Sequence, residues 1–305
     1  MKILLIGHSV EDHLLSNAKE IITPDGIFYS ALGYKFVKQE DDEIFLNTVV
    51  EQSNENLFSI VYDKLNKKYV KIENEIPKVF LTIHENKERD ECYNKVTKNL
   101  EINFNEVNIF NGIHLNMVTG FDVTLNQVEE LRNNFKGLIY IDVHSLSRGL
   151  GSDMKREFRT IPEFERWAKS VDIIQVNENE LFTLDDEKDT MKIINKILSM
   201  GVKFIIVTKG NLGARVYWLH NEEINSIFVS ALKIEKENKE GKSSWQVGCG
   251  DIFGSVFFYF YLKTNDLKSA LIKANYLAGL TASKNNFSEG SFGEDLLNMR
   301  PNVFA

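Results

Sequence analysis

The stretch VGCGDIFGSVFFYFYLK, residues 247–263, sets two glycines and an aspartate directly before a helix that has no polar face. From Val256 to Leu262 every side chain is apolar or aromatic, so the spacing predicts a buried helix. A helix buried along its length buries its start as well. The first backbone N–H groups of a helix lack partners within it, and together with the helix dipole they make a site for an anion. Gly248 and Gly250 would let the anion approach the backbone closely. Asp251 either caps the helix or works beside whatever binds there.

Working outward, short apolar runs alternate with helix-like stretches over most of the chain. ILLIG (3–7), GIHLN (112–116), LIYID (138–142), DIIQVN (172–177) and KFIIVTKG (203–210) read as strands, each closing on or near Gly, Asp or Asn. TLNQVEELRNNF (124–135) follows the second and TIPEFERWAKS (160–170) the third as amphipathic helices. This alternation predicts an α/β fold with a doubly wound, mostly parallel sheet and helices on both faces. Ligands in such sheets bind at the carboxyl ends of the strands, which points to residues 7–12, 142–148, 177–180 and 208–213. Asp142, His144 and Arg148 are candidates to line that pocket, with no chemistry assigned to them. Residues 66–104 break the alternation. They are highly charged and carry period-two patches such as KVFLTIHEN, which predicts a small β lid, joined by a shorter piece after Asp12, projecting from one domain spanning 1–305. EKENKEGKSS (235–244) reads as a polar loop.

With 43% hydrophobic residues among 305, the chain can bury a sizeable core. Its formal net charge is -8, and its lysines are scattered among acids, which argues against a nucleic-acid partner. The apolar run in MKILLIGHS is too short for a signal peptide, and no later run approaches a membrane span, so a soluble, cytoplasmic protein is expected. Cys92 and Cys249 give no metal spacing and are expected as reduced thiols. His8, His13, His114 and His144 form no metal spacing either. Asn286-Phe287-Ser288 matches a glycosylation acceptor but lacks a secretory context. GKS (241–243) is no phosphate loop, because Lys236 stands where its first glycine is required.

Several motifs in order carry a resemblance: GHSVED with Asp12 five residues after Gly7, the helix start PDGIFYSALG, VNENEL, VTKGNLGA, and GCGD before the apolar helix. Together they resemble the PfkB, or ribokinase-like, carbohydrate kinase family over nearly the whole chain. The resemblance implies an ATP-dependent, Mg2+-requiring kinase that transfers the γ-phosphoryl group to a hydroxyl of a small sugar. It implies Asp251 as the base that takes the hydroxyl proton, and the backbone of Gly248, Cys249 and Gly250 as the anion hole. Asn177 and Glu180 match the family's Asn-x-x-Glu motif, with Mg2+ held through water near Glu180 and no direct metal ligand. Thr208, Gly210 and Gly213 match the nucleotide-lining turn, and Asn275 lies near the adenine end. Asp12 matches the acid that binds sugar hydroxyls. Gly26 matches the second glycine of the sugar-binding pair, and Ser30 stands where that motif has asparagine.

The departures bear on specificity. Asp25 replaces the first glycine of the pair, and Trp245, Gln246 and Val247 stand where the family has Asp-Thr-Thr, which removes the acid of a monovalent-cation site. Cys249 replaces alanine, as a thiol expected to be sensitive to oxidation beside a phosphate site. A nucleoside kinase is the nearest rival, favoured by Phe28 and Tyr29 beside the sugar motif. A non-catalytic nucleotide- or sugar-binding regulatory protein is a second, motivated by the changes at 25, 30 and 245. A dinucleotide-dependent oxidoreductase lacks its glycine turn after the first strand. Exposed lid strands would suit pairing in a homodimer.

Overall fold

Nine strands form one sheet whose inner strands read as nearly unbroken apolar runs, because both of its faces are covered by helices. The structure, a computed structural model, describes residues 1–16, 19–82, 90–231 and 247–284. In chain order the first part holds β1 (Lys2–Ile6), β2 (Ser9–Ser16), β3 (Lys19–Gly26), α1 (Phe28–Val37), β4 (Glu43–Glu51), α2 (Glu55–Tyr62), β5 (Asn66–Glu73), β6 (Lys78–Thr82) and β7 (Asp90–Lys95). Next come β8 (Gly112–Asn116), α3 (Leu125–Asn134), β9 (Leu138–Asp142), β10 (Arg148–Leu150), β11 (Arg156–Phe158), α4 (Phe164–Ser170), β12 (Ile173–Asn177) and α5 (Glu178–Leu181). The last part holds α6 (Thr190–Ser199), β13 (Phe204–Thr208), β14 (Gly213–His220), β15 (Glu223–Ser230), α7 (Cys249–Thr264) and α8 (Leu267–Lys284).

The central sheet runs β15-β14-β13-β12-β9-β8-β1-β4-β5. From β13 to β5 every neighbouring pair is parallel, and the β13-β14 and β14-β15 pairs are antiparallel. The period-two alternation of each strand splits the core in two. Ile3, Leu5, Leu46, Tyr140 and Ile206 face α1, α2, α7 and α8. Leu4, Ile6, Ile113, Ile141 and Val207 face α3, α4 and α6.

α7 is the buried helix expected from its sequence. All residues from Ile252 to Tyr261 are buried, and Phe253, Phe257 and Tyr261 stack one turn apart at centroid separations of 6.3 and 6.0 Å. Beneath it, His114 of β8 sits fully enclosed with the Tyr34 hydroxyl 2.9 Å from its Nδ1. Burial pushes the imidazole down to about 3, so it is a neutral core residue.

A second sheet, ordered β3-β2-β6-β7, is the lid. Its extent corrects the expected 66–104 excursion. Residues 66–73 form β5, the edge strand of the central sheet, because their register with β4 continues that sheet. The lid is instead built from residues 9–26 together with 78–82 and 90–95, so half of it comes from the segment that carries Asp12. The hairpin of β10 and β11 packs beneath it. Tyr93 N–H donates to Met154 O at 3.0 Å, an Arg148–Glu91 ion pair spans 3.4 Å, and Leu150 and Met154 join the lid's small apolar cluster. Among the described residues no helix is long and apolar enough to cross a membrane.

Phe258 is fully buried and touches both Tyr140 and His114. Phe258→Ala is expected to cost about 3–5 kcal/mol of stability, measured by urea unfolding, since the rings around it cannot collapse into the space.

Candidate active site

The start of α7 is held by contacts that require its glycine. Gly248 has φ of 75°, and a Cβ there would lie 2.1 Å from Cγ of the fully buried Tyr29. Ile252 N–H closes the first turn on Gly248 O at 3.0 Å. The N–H groups of Cys249, Gly250 and Asp251 belong to that first turn and have no carbonyl within the helix to bond. Gly250 borders open ground, where the nearest atom to an added Cβ would be Gln175 Nε2 at 3.9 Å.

Asp251 is only 6% exposed. Asn116 Nδ2 donates to its Oδ1 at 2.7 Å and also to Ser30 Oγ at 2.9 Å, while Ser30 Oγ donates to Asp251 O at 3.3 Å. The carboxylate is thus oriented from β8 and its backbone is held from α1. Ser30, expected at the sugar, braces the predicted base.

On the other side, Gln175 Nε2 donates to Asp142 Oδ2 at 2.6 Å and to Gly250 O at 3.1 Å, and the Tyr140 hydroxyl donates to Gln175 Oε1 at 2.5 Å. Burial, and then the charges of Asp251 and Glu180, push the Asp142 carboxyl well above the usual carboxylate range. Glu180 accepts from Asn177 N and Nδ2, both at 2.8 Å, while Asn177 Oδ1 accepts from Asn179 N and Glu180 N. The Asn-x-x-Glu motif is therefore a capping box at α5, and the cap fixes Glu180 where its charge reaches Asp142. Three acids from β9, α5 and α7 share one neighbourhood. Among the described residues no group of three or more His, Cys, Asp or Glu is arranged to hold a metal ion.

Cys249 departs from its expected reactivity. Burial, and then the Asp251 charge, push its thiol up to about 12, so it stays protonated and is a poor nucleophile.

The remaining predicted residues sit on other elements. Thr208 Oγ1 donates to Val176 O at 3.3 Å. Gly210, with φ of 53°, has open space around it. Gly213, with φ of 122°, is required by the neighbouring strand, since a Cβ would meet Val229 O at 2.1 Å. Asn275 Nδ2 donates to the same Val229 carbonyl at 3.1 Å, tying α8 to β15. In the lid, Asp12 is buried on the strand face that also carries Val10 and Leu14. Gly26, with φ of 73°, lets β3 approach the β1–β2 connection, where a Cβ would lie 2.1 Å from His8 O. His8 is held there by Asp122, whose Oδ1 accepts from His8 N at 2.8 Å and lies 3.0 Å from His8 Nδ1. Although burial raises the Asp122 carboxyl, these bonds hold it below its ordinary value.

Asn116, Gln175 and Tyr140 were not expected at the site. Their signal was strand parity. Asn116 follows His114 by two, Asp142 follows Tyr140 by two, and Gln175 lies between Ile174 and Val176, so each polar side chain falls on the α7 face. Trp245, Gln246, the 235–244 stretch with its GKS triplet, and Asn286 lie outside the described residues.

Comparison with known proteins bears on the fold. Residues 150–291 match the pfkB family carbohydrate kinase, a span that contains Gln175, Asn177, Glu180, the 208–213 turn and Gly248–Asp251. A pyrophosphate-dependent kinase in the ribokinase family, solved as a sulfate complex, superposes with a TM-score of 0.73 at 15% identity, covering 92% of this chain and 95% of that one. Ribokinase from Thermotoga maritima gives 0.70 at 14% identity and 97% of each chain. A putative ribokinase II from E. coli, in complex with ATP and Mg2+, gives 0.69 at 19% identity and 95% of each chain. No curated protein matches the sequence. The fold is ribokinase-like, and residues 150–291 carry the likeness to the carbohydrate kinase family.

Because the folded state holds the Asp142 proton more tightly than the unfolded chain, this group's contribution to stability is lost as pH rises above the unfolded value near ~4. Asp142→Asn removes the titration. In magnesium-free buffer its stability relative to wild type, from urea unfolding, should increase between pH 5 and pH 8. A gap that stays constant would contradict the burial and repulsion assigned to this acid.

Proposed function

We propose that the protein transfers the γ-phosphoryl group of Mg-ATP to a hydroxyl of a small sugar, with Asp251 as the base. The observation that carries this reading is the start of α7: an aspartate oriented by Asn116 stands beside first-turn N–H groups that point at no carbonyl of their own helix. Asp251 accepts the proton of the attacking hydroxyl as the new O–P bond forms. The N–H groups at 249–251 stabilise the charge on the transferred group, and positioning supplies most of the rest. Gln175 holds the Gly250 carbonyl and so keeps the hole in shape.

Magnesium fits the acids present. Asp142 and Glu180 raise each other's energy within a buried site, and a hard dication carrying its own waters relieves that repulsion without needing a closed set of ligands. When bound, it neutralises charge on the donor phosphates. Thr208, Gly210, Gly213 and Asn275 form the donor side, and Asp12 and Gly26 the acceptor side beneath the lid, which excludes water when closed. The whole chain acts as one domain, in the cytoplasm. Pyrophosphate is the second donor to consider, since it presents the same anion to the helix start and a pyrophosphate-dependent kinase shares the fold. A nucleoside acceptor is less favoured. Phe28 and Tyr29, the aromatic pair that would have stacked a base, are fully buried in the core against Phe58, Tyr62 and Gly248.

The test is turnover with Mg-ATP and with Mg-pyrophosphate against sugars, polyols and nucleosides, run beside Asp251→Asn. Turnover with one acceptor class is expected, falling by about 10²–10⁴ in the variant while donor affinity persists. Unchanged turnover in Asp251→Asn would remove the base from the mechanism.

A further inference from the structure

Beside the acceptor side, Arg156 of β11 has a guanidinium that the protein only partly satisfies. Its Nη1 donates to Arg148 O at 3.2 Å, while Nε and Nη2 are buried with no hydrogen-bond partner among the described residues. The rings of Tyr93 and Phe121 lie 4.5 and 5.2 Å from its Cζ. With aromatic rings packed against the group and one terminal nitrogen engaged, what it offers is the edge formed by Nε–H and Nη2–H. That edge is the two-pronged donor that matches a carboxylate or a phosphate. Two buried N–H donors left without acceptors are costly, and a ligand oxyanion that accepts from both would supply the missing bonds.

The placement is specific to the acceptor end. The Tyr93 hydroxyl experiences the charges of Arg156, Glu91, Asp122 and, least, Asp12, so the guanidinium that packs on this ring and the sugar-side aspartate act on one hydroxyl. Phe121 directly precedes Asp122, which anchors His8 at the root of the lid. The edge lies beside the seam between β7 and β11, where Tyr93 N–H to Met154 O and the Arg148–Glu91 pair hold lid to hairpin.

We infer that the acceptor carries a carboxylate or phosphate group, and that Arg156 binds it through its Nε and Nη2 edge while Asp12 binds hydroxyls of the same molecule. This deepens the sugar-kinase reading and rests on its placement of the acceptor. A neutral sugar has nothing to offer the edge, so the acceptors favoured are sugar acids and sugar monophosphates.

The test is calorimetric binding without donor, so that it stands apart from turnover. Fructose 6-phosphate, ribose 5-phosphate and gluconate are compared with fructose, ribose and glucose, with inorganic phosphate alone as a further probe. The proteins are wild type, Arg156→Met, Arg156→Lys and Asp251→Asn. Wild type should bind at least one anionic probe more tightly than its neutral counterpart, with the phosphate and carboxylate arms deciding which oxyanion is preferred. Arg156→Met should weaken that probe about thirtyfold or more. Arg156→Lys, which keeps the charge but loses the planar edge, should recover only part of the loss, and the preference for the anionic probe over its neutral counterpart should persist in Asp251→Asn. Equal binding of anionic and neutral probes, no binding of any anionic probe, or an anionic affinity unchanged in Arg156→Met with its unfolding midpoint intact would each overturn the inference. If kinase turnover fails while the Arg156-dependent binding persists, the proposed reaction is wrong and the anion site stands.

Discussion

A helix with no polar face can exist in water only if protein surrounds it, and the packing of α7 sets the terms for much of this fold. The sheet lies on one side of it through Tyr140, His114 and Gln175, while α1 and α8 cover the others. Its first turn therefore opens at the carboxyl ends of β8, β9 and β12, in a cleft that Gly250 leaves open. Backbone donors gathered there have no carbonyl of their own helix to bond, and the surrounding strands carry polar side chains at otherwise apolar positions. Asn116, Asp142 and Gln175 are those side chains. The polarity of the site thus follows from where the helix begins.

Strand ends and glycines played a double part. Gly26, Gly213 and Gly248 all take positive φ and all have another segment's atoms where a Cβ would be. Their identity is explained by close packing within the fold itself. The same holds for Asn177 and Glu180. Their capping box is a complete structural reason for the motif, and by fixing Glu180 it also places a negative charge toward Asp142. Structural and chemical roles coincide in these residues.

The central sheet was legible because each strand carried a short apolar run closed by a turn residue, and β8 and β9 fall on the runs read from the sequence. α7 was legible from the absence of any polar stripe. The lid was harder. β5 is charged and alternating like a free strand because it is a sheet edge, and nothing local distinguishes an edge of the central sheet from a strand of a separate one. The segment from Ser9 to Gly26 pairs with β6 across more than fifty residues of chain, a relation that no periodicity encodes. At the site, Asp251 and its glycines stood out by composition. Asn116 and Gln175 did not, since a single amide within an apolar strand looks like an interruption until strand parity is set against a neighbouring helix.

Tyr29 and Ser30 are neighbours on α1, one lying against Gly248 and the other bonded to Asp251 O. The segment that follows Gly26 is thereby built into the wall around the start of α7, and Asn116 ties β8 to the same place. The second sheet joins it where β3 runs straight into α1, while β7 is fastened to the hairpin at Arg148 and Met154. A change in the hairpin thus leaves the packing at the start of α7 in place, whereas a change at Tyr29 reaches Gly248 directly.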